Sequence, residues 1–227
     1  MQQRVLEPEV MDTDEDAREY DAMDFADANS RFAEDALALI ASVKSPRILD
    51  LGTGTAAIPI EMIRRRPDAQ IVGLDLAESM LVVAREKARV AGIAASLDLR
   101  AGDVKATGLA PATFDLVMSN STAHHLPDPL AMFREIARLT RPGGAILVRD
   151  LFRPETAALA TATVERVAPN DSPRQKQLFL DSLNAALTVD EVRALARDAG
   201  LEGTRIAVVS DRHWTVERAA VSAPQFS

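Results

Sequence analysis

Five short β-rich runs alternate with segments of helical period between residues 47 and 150. The runs are residues 47–51, 70–75, 96–100, 113–119 and 144–150. Leu130, Phe133, Ile136 and Ala137 form an apolar stripe opposite Arg134, Glu135, Arg138 and Arg141. Met80, Leu81, Ala84, Ala88 and Ala91 form another. Stripes that recur at three and four residues belong on helices with one buried face. Strands alternating with such helices read as βαβ units, so the expected core is a parallel sheet covered on both faces. In that architecture ligands bind at the carboxyl ends of the strands.

The flanks differ. Thr13 can cap a helix whose first turn holds Asp14, Glu15 and Asp16, where acids favour the helix dipole. A second helix is expected near Ser30, with Phe32, Ala33, Ala36, Ile40 and Val43 on its apolar side. Residues 151–187 read as a mostly helical insertion. Ser172, Pro173 and Gln175 form a cap, a first-turn proline and a capping-box partner, and Thr188 with Glu191 repeats the box. That last helix should stop at Gly200. Two β-like runs, 204–210 and 213–218, finish the chain. The expected division is an N-terminal helical arm or lid over residues 1–45 and a ligand-binding domain over 46–227.

Charge separates the same two parts. The net charge is −8, but residues 1–35 hold twelve acids and three arginines, and the rest is close to neutral. Neither part offers the basic stripe that nucleic-acid backbones require. Nine aromatics are too few for a base-stacking platform. With no cysteine, disulfides, thiolate catalysis and cysteine-ligated metals are excluded. No apolar run approaches the ~20 residues of a membrane span. The N-terminus has no signal-peptide pattern, so the expected compartment is the cytoplasm.

The residues that carry chemistry are Ile48-Leu49-Asp50-Leu51-Gly52-Thr53-Gly54-Thr55-Ala56, where the first strand hands over to the first helix. Glycines there let the backbone turn tightly and approach a ligand. Asp75, 21 residues past Gly54 at the end of the second strand, has the spacing of an acid that binds ribose hydroxyls. A strand-end carboxylate at an open site should have few partners of its own. Gly52-x-Gly54-x-x-Ala57 also passes the dinucleotide pattern, which leaves an NAD(P)-dependent oxidoreductase open. Asp50 argues against it, because a carboxylate there repels a pyrophosphate and suits a ligand with an ammonium group. The oxidoreductase would also need a Tyr/Lys acid–base pair near the fourth strand, and the chain's one tyrosine is Tyr20.

Asp-x-Gly-x-Gly resembles motif I of the class I S-adenosylmethionine-dependent methyltransferases. Further strings resemble that family in order: Leu74-Asp75-Leu76-Ala77-Glu78-Ser79-Met80-Leu81, Gly102-Asp103-Val104, Phe114 to Asn120, and Arg141-Pro142-Gly143-Gly144. Ala56 stands where many members have glycine. The resemblance implies a doubly wound, Rossmann-like α/β fold: a seven-stranded sheet, mostly parallel, with an antiparallel C-terminal hairpin strand. It implies that Asp50, Gly52, Thr53 and Gly54 surround the methionine part of S-adenosylmethionine. Asp75 would bind the ribose, with Leu76 and Met80 beside the adenosine. Asp103 and Val104 would meet the adenine, and Asn120 would lie under the methionine end. The implied reaction is in-line methyl transfer to a small-molecule acceptor, with S-adenosylhomocysteine as product. A binding module that keeps the fold without turnover is a further possibility.

His124 and His125 follow the fourth strand on the crevice side, and "His-His-Leu-Pro-Asp" resembles a loop of the family's small-molecule branch, which includes quinone-biosynthesis-type enzymes. His125, nearer the mouth, is the candidate catalytic residue, with Tyr20 of the acidic arm as a second. His124, Arg149 and Arg153 are candidate substrate contacts, with Arg212 and His213 on the same rim and Phe152, Phe179 and Leu183 as an apolar wall. A metal site on the two histidines is not expected, because no carboxylate partner is evident. Residues 10–35, which include Tyr20, Met23, Phe25 and Phe32, are expected to fold over the strand ends as a lid.

Overall fold

β1 (Arg47–Leu51) lies inside a seven-stranded sheet with β2 (Gln70–Asp75), β3 (Leu97–Ala101), β4 (Phe114–Asn120), β5 (Thr140–Leu151), β6 (Arg205–Val208) and β7 (His213–Arg218). The order is β3-β2-β1-β4-β5-β7-β6. β1 to β5 pair in parallel, and β7 runs antiparallel between β5 and β6. This computed structural model describes residues 2–7, 13–21, 23 and 25–221, with the side chains of residues 16 and 20 outside that set. The chain builds outward from β1 to β3, then returns to place β4 on the other side of β1. That reversal opens a crevice at the carboxyl ends of β1 and β4, the switch point where doubly wound folds bind ligands.

Alternation along the strands assigns the two faces. Ile48, Leu116, Met118, Ala145 and Leu147 pack with α2 (Ala26–Leu39), α3 (Ala57–Arg65) and α4 (Glu78–Val90). Leu49, Leu51, Val117, Ile146 and Val148 pack with α5 (Leu130–Leu139) and α8 (Val189–Asp198). Each such aliphatic side chain, fully buried, contributes about 1.5–3 kcal/mol. Trp214 of β7 is fully buried and meets Phe133 of α5 with ring centroids 6.5 Å apart.

α1 (Asp14–Asp21) follows Thr13 as expected, and Ala17 is buried against Ala77 and Met80 beside α4. α2 starts at Ala26, four residues before Ser30, and no side chain caps it. Its Phe32, Ala33 and Ala36 are buried beneath the sheet. α2, expected to lie in the N-terminal arm, packs in the same apolar cluster as β1, β4 and β5. β5 begins at Thr140, earlier than expected, with an irregular register against β4 between Phe114 and Leu116. The insertion is helical, α6 (Ala157–Val167) and α7 (Pro173–Ala185), joined through Leu151, Val164, Phe179 and Leu183. Both expected capping boxes form, and Gly200 follows α8 in the left-handed conformation. Among the described residues no helix is long and apolar enough to cross a membrane.

Candidate functional site

A cleft enclosing about 790 Å³, open mouth included, lies at the strand ends. Gly52, Gly54, Asp75, Leu76, Met80, Asp103, Val104 and Asn120 all line it. Gly52 has φ +75°, and a Cβ there would stand 2.2 Å from the Thr122 Oγ1. The first turn of the loop therefore admits only glycine. Ala56 precedes α3 with φ 57°, a left-handed position that glycine occupies without strain.

Asp75 is held by the loop it faces. Its Oδ2 accepts from the Gly54 N–H at 2.7 Å and its Oδ1 from the Ala77 N–H at 3.0 Å. The expectation of few native partners was wrong, because β2 ends where two backbone turns point N–H groups at its side chain. Burial raises its pKa, and hydrogen bonds from Ala77, Gly54 and Leu76 oppose the rise.

Asp50 and Thr53 do not line the cleft. The Thr53 hydroxyl donates to Asp50 Oδ2 at 2.8 Å, and both side chains are buried behind the loop. The Thr53 side chain turns toward Gly73, where a Cβ would stand 2.9 Å from its Oγ1. Both were expected around the methionine part of the donor; here their side chains pair with each other behind the glycine loop. Burial, together with the charge of Asp75, pushes Asp50 up to about 7, against the Thr53 hydrogen bond.

The other end of the cleft holds His125 and Leu126, with Ser121 and Thr122 between them and Asn120. His124 and His125 sit on a single 3-10 turn with ring centroids 4.1 Å apart. His124 is buried, and its Nδ1 lies 2.6 Å from Asp150 Oδ1. The His124 N–H donates to the same carboxylate at 3.1 Å. Burial opposes charge on both groups, but each holds the other ionised: His124 is raised and Asp150 lowered.

Residues 2–7 form a strap over this turn. Backbone bonds run from Gln2 to Glu155 and from Val5 to Asn184. The Arg4 guanidinium donates to the carbonyls of His124, Leu126, Pro127 and Ala185. The strap delivers Glu7, whose Oε1 lies 3.1 Å from His125 Nδ1 and 3.4 Å from His124 Nε2. Ser182 of α7 donates to its Oε2 at 3.2 Å. Glu7 is the carboxylate partner the sequence did not reveal. Nothing in the string of residues signals it, since it stands more than a hundred residues from the histidines. Ala77, Ser121, Thr122 and Leu126 were also missed, although their places just after strand ends were a usable signal.

The arginines go elsewhere. Arg149 pairs with Asp35 at 2.7 Å and stacks over the Phe32 ring, so it ties β5 to α2. Arg153 is buried, donates to the Ala186 carbonyl and pairs with Glu191 at 2.8 Å. Both were expected to contact substrate; in the structure each is engaged with an acid on a neighbouring helix. Arg212 pairs with Asp211 and His213 bonds Ser210, both at the β6–β7 turn. Phe179 and Leu183 pack inside the α6–α7 cluster and do not line the cleft. The Tyr20 side chain lies outside the described residues, as do residues 10–12, 22 and 24.

A sequence model of the family described as "Methyltransferase domain" matches residues 42–200. The chain belongs to this family. It is of the class I, S-adenosylmethionine-dependent kind. The chain is 26% identical over 176 residues to the 27-O-demethylrifamycin SV methyltransferase of Amycolatopsis mediterranei, covering 78% of this chain and 61% of that protein. It is 32% identical over 158 residues to a ubiquinone biosynthesis O-methyltransferase of Xanthomonas euvesicatoria pv. vesicatoria, covering 69% and 62%. The match thus spans about three fifths of the length of these relatives. An S-adenosyl-L-methionine-dependent methyltransferase structure from Methanococcus maripaludis has the same fold, with a TM-score of 0.71, 18% identity and coverage of 97% and 99%.

Proposed function

We propose that this methyltransferase-family chain binds S-adenosylmethionine in the cleft and transfers its methyl group to a small-molecule acceptor. The observation that carries the reading is the convergence of the Gly52–Gly54 loop, Asp75 and Asp103 on one wall. The residues fit the donor. Asp75 and Asp103 offer acceptors for ribose hydroxyls and the adenine amino group, and Leu76, Met80 and Val104 offer apolar surface. Gly52 and Gly54 bring bare backbone to the cleft wall. When bound, the donor supplies a methyl group already activated on a sulfonium. What remains for the chain is to orient a nucleophile and exclude water.

Asn120, Ser121, Thr122, His125 and Leu126 face the acceptor end. His125, which lines this end, is our candidate catalytic residue. The histidine turn at this end is backed by the strap and α7, and a site lined by side chains of that turn suits a small acceptor over a macromolecule. Asp50, from beneath the loop, favours a ligand bearing an ammonium group. Isothermal titration tests the reading: S-adenosylhomocysteine should bind and NAD(P) should not. Tight NAD(P) binding with no S-adenosylhomocysteine binding would overturn it.

A further inference from the structure

Glu7, His124 and His125 bring three ligand-type atoms, each from a different residue, within 4.8 Å of one another. Glu7 Oε1 and His125 Nδ1 are buried yet make no hydrogen bond, although they face each other at 3.1 Å. The Glu7 side chain is only 10% exposed. Buried polar atoms left without a partner are costly, and two that face each other beside the His124 ring need a proton or a cation between them. The separations are informative. A tetrahedral ion with nitrogen and oxygen ligands at about 2.0–2.1 Å sets neighbouring ligand atoms about 3.3 Å apart. Glu7 Oε1 stands 3.1 Å and 3.4 Å from the two nitrogens.

The surroundings are also those of a metal site. Asp150 takes the Nδ1 side of His124, which turns Nε2 toward Glu7. A carboxylate behind a ligating histidine fixes the ring and its tautomer. Ser182 occupies Glu7 Oε2 and leaves Oε1 free. Arg4 pins the carbonyls of the histidine turn, so strap and turn move as one. His125 is itself part of the cleft wall.

We propose that Glu7, His124 and His125 form a three-residue site for a divalent transition-metal ion at the acceptor end of the cleft. Two imidazoles and one carboxylate favour zinc-like ions over magnesium or calcium. Three protein ligands leave a coordination position for an outside group. That position would take an oxygen of the acceptor, which places hydroxyl- or carboxylate-bearing small molecules in the favoured class. Metal binding stands without the methyl-transfer reading, and the acceptor role rests on it.

The test uses the full chain, stripped with chelator and titrated with cobalt(II). One equivalent should bind and give the intense visible absorption of a four- or five-coordinate nitrogen–oxygen site. Glu7→Gln and His125→Ala should each weaken cobalt binding at least about tenfold, and Asp150→Asn by roughly 10–100-fold, the usual cost of losing a partner behind a ligand. Circular dichroism and thermal unfolding identify any variant that fails to fold, and Glu7→Gln, a near-isosteric change on the strap, keeps the test decisive. Absence of the absorption in a folded protein would overturn the proposal and leave a proton on His124 as the positive charge between the acids. Absorption that survives both Glu7→Gln and His125→Ala would overturn it equally, by placing the ion elsewhere. Titration with S-adenosylhomocysteine in parallel reports separately on the donor site.

Discussion

The two ends of the cleft are built in opposite ways. The proposed donor end is lined by Gly52, Gly54, Asp75, Leu76, Ala77, Met80, Asp103 and Val104, all at or shortly after the carboxyl ends of parallel strands. Its polar atoms are held largely by backbone N–H groups, as Gly54 and Ala77 hold Asp75. The acceptor end is made from residues 7, 124, 125, 150 and 182, held by side-chain contacts across as many as 175 residues of chain. Once the sheet forms, its strand ends fix the donor end. The acceptor end needs the strap, the insertion and β5 all in place. The donor end should therefore tolerate damage at the acceptor end, and the reverse should also hold.

The sharpest break is to remove the strap. Deleting residues 1–7 takes away Arg4 and Glu7 and should cut turnover by about 100-fold, the scale for losing reactant orientation. S-adenosylhomocysteine affinity, measured by titration, should stay nearly unchanged. A parallel loss of donor affinity would mean the two ends are one unit.

Asp75→Asn attacks the other end. It should weaken S-adenosylhomocysteine binding by roughly 1.5–3 kcal/mol, the scale of hydrogen bonds to a charged group. Because Asp75 also accepts from the loop, the unliganded protein should melt lower too, a consequence of contacts visible only in the structure. A folded variant that binds as tightly as the parent would remove Asp75 from the donor site.

Asp50 sharpens the comparison through pH. Its folded pKa, about 7, lies above the unfolded carboxylate value, so folding favours its protonated form. Its contribution to stability is whole below about pH 4 and is lost as pH rises through 7. Donor binding, which favours the ionised form beside an ammonium, should strengthen about tenfold from pH 6 upward, since a group of that pKa is only about a tenth ionised at pH 6. Asp50→Asn should flatten both profiles, read by thermal unfolding and by titration. Profiles that keep their slope in the variant would assign the effect to another group.

The smallest effect belongs to Arg149. Its pair with the exposed Asp35 should be worth no more than about 1 kcal/mol. Arg149→Gln should shift the melting temperature slightly and leave the acceptor KM alone. A large rise in KM would return Arg149 to the acceptor side.

Much of this was legible from residues alone. Alternating periods gave the strands of the parallel sheet, with β1 and β2 over the expected spans. Capping chemistry gave the starts of α7 and α8, because a cap is a contact between residues three apart. The start of α2 was not legible, because no side chain caps it and burial of Phe32 and Ala36 against the sheet decides where it lies. Eight residues expected from their positions near strand ends line the cleft, but which side of the loop each residue faces was not legible. Asp50 and Thr53 point inward because Thr53 has the carboxylate as a partner there.

The sequence by itself determined the doubly wound architecture and the cleft wall at its strand ends, since both follow from local periodicity and from glycine and acid at fixed steps past a strand. Only the tertiary structure decided the acceptor end. Arg149 and Arg153 stand at strand ends as a substrate clamp would, yet each is spent on a helix acid brought near by packing. Glu7 has no pattern in sequence, and it meets His124 and His125 because Arg4 locks the first residues onto the carbonyls of their turn. Hydrogen bonds and ion pairs between distant segments depend on where the chain returns in space, and neither spacing nor composition encodes that.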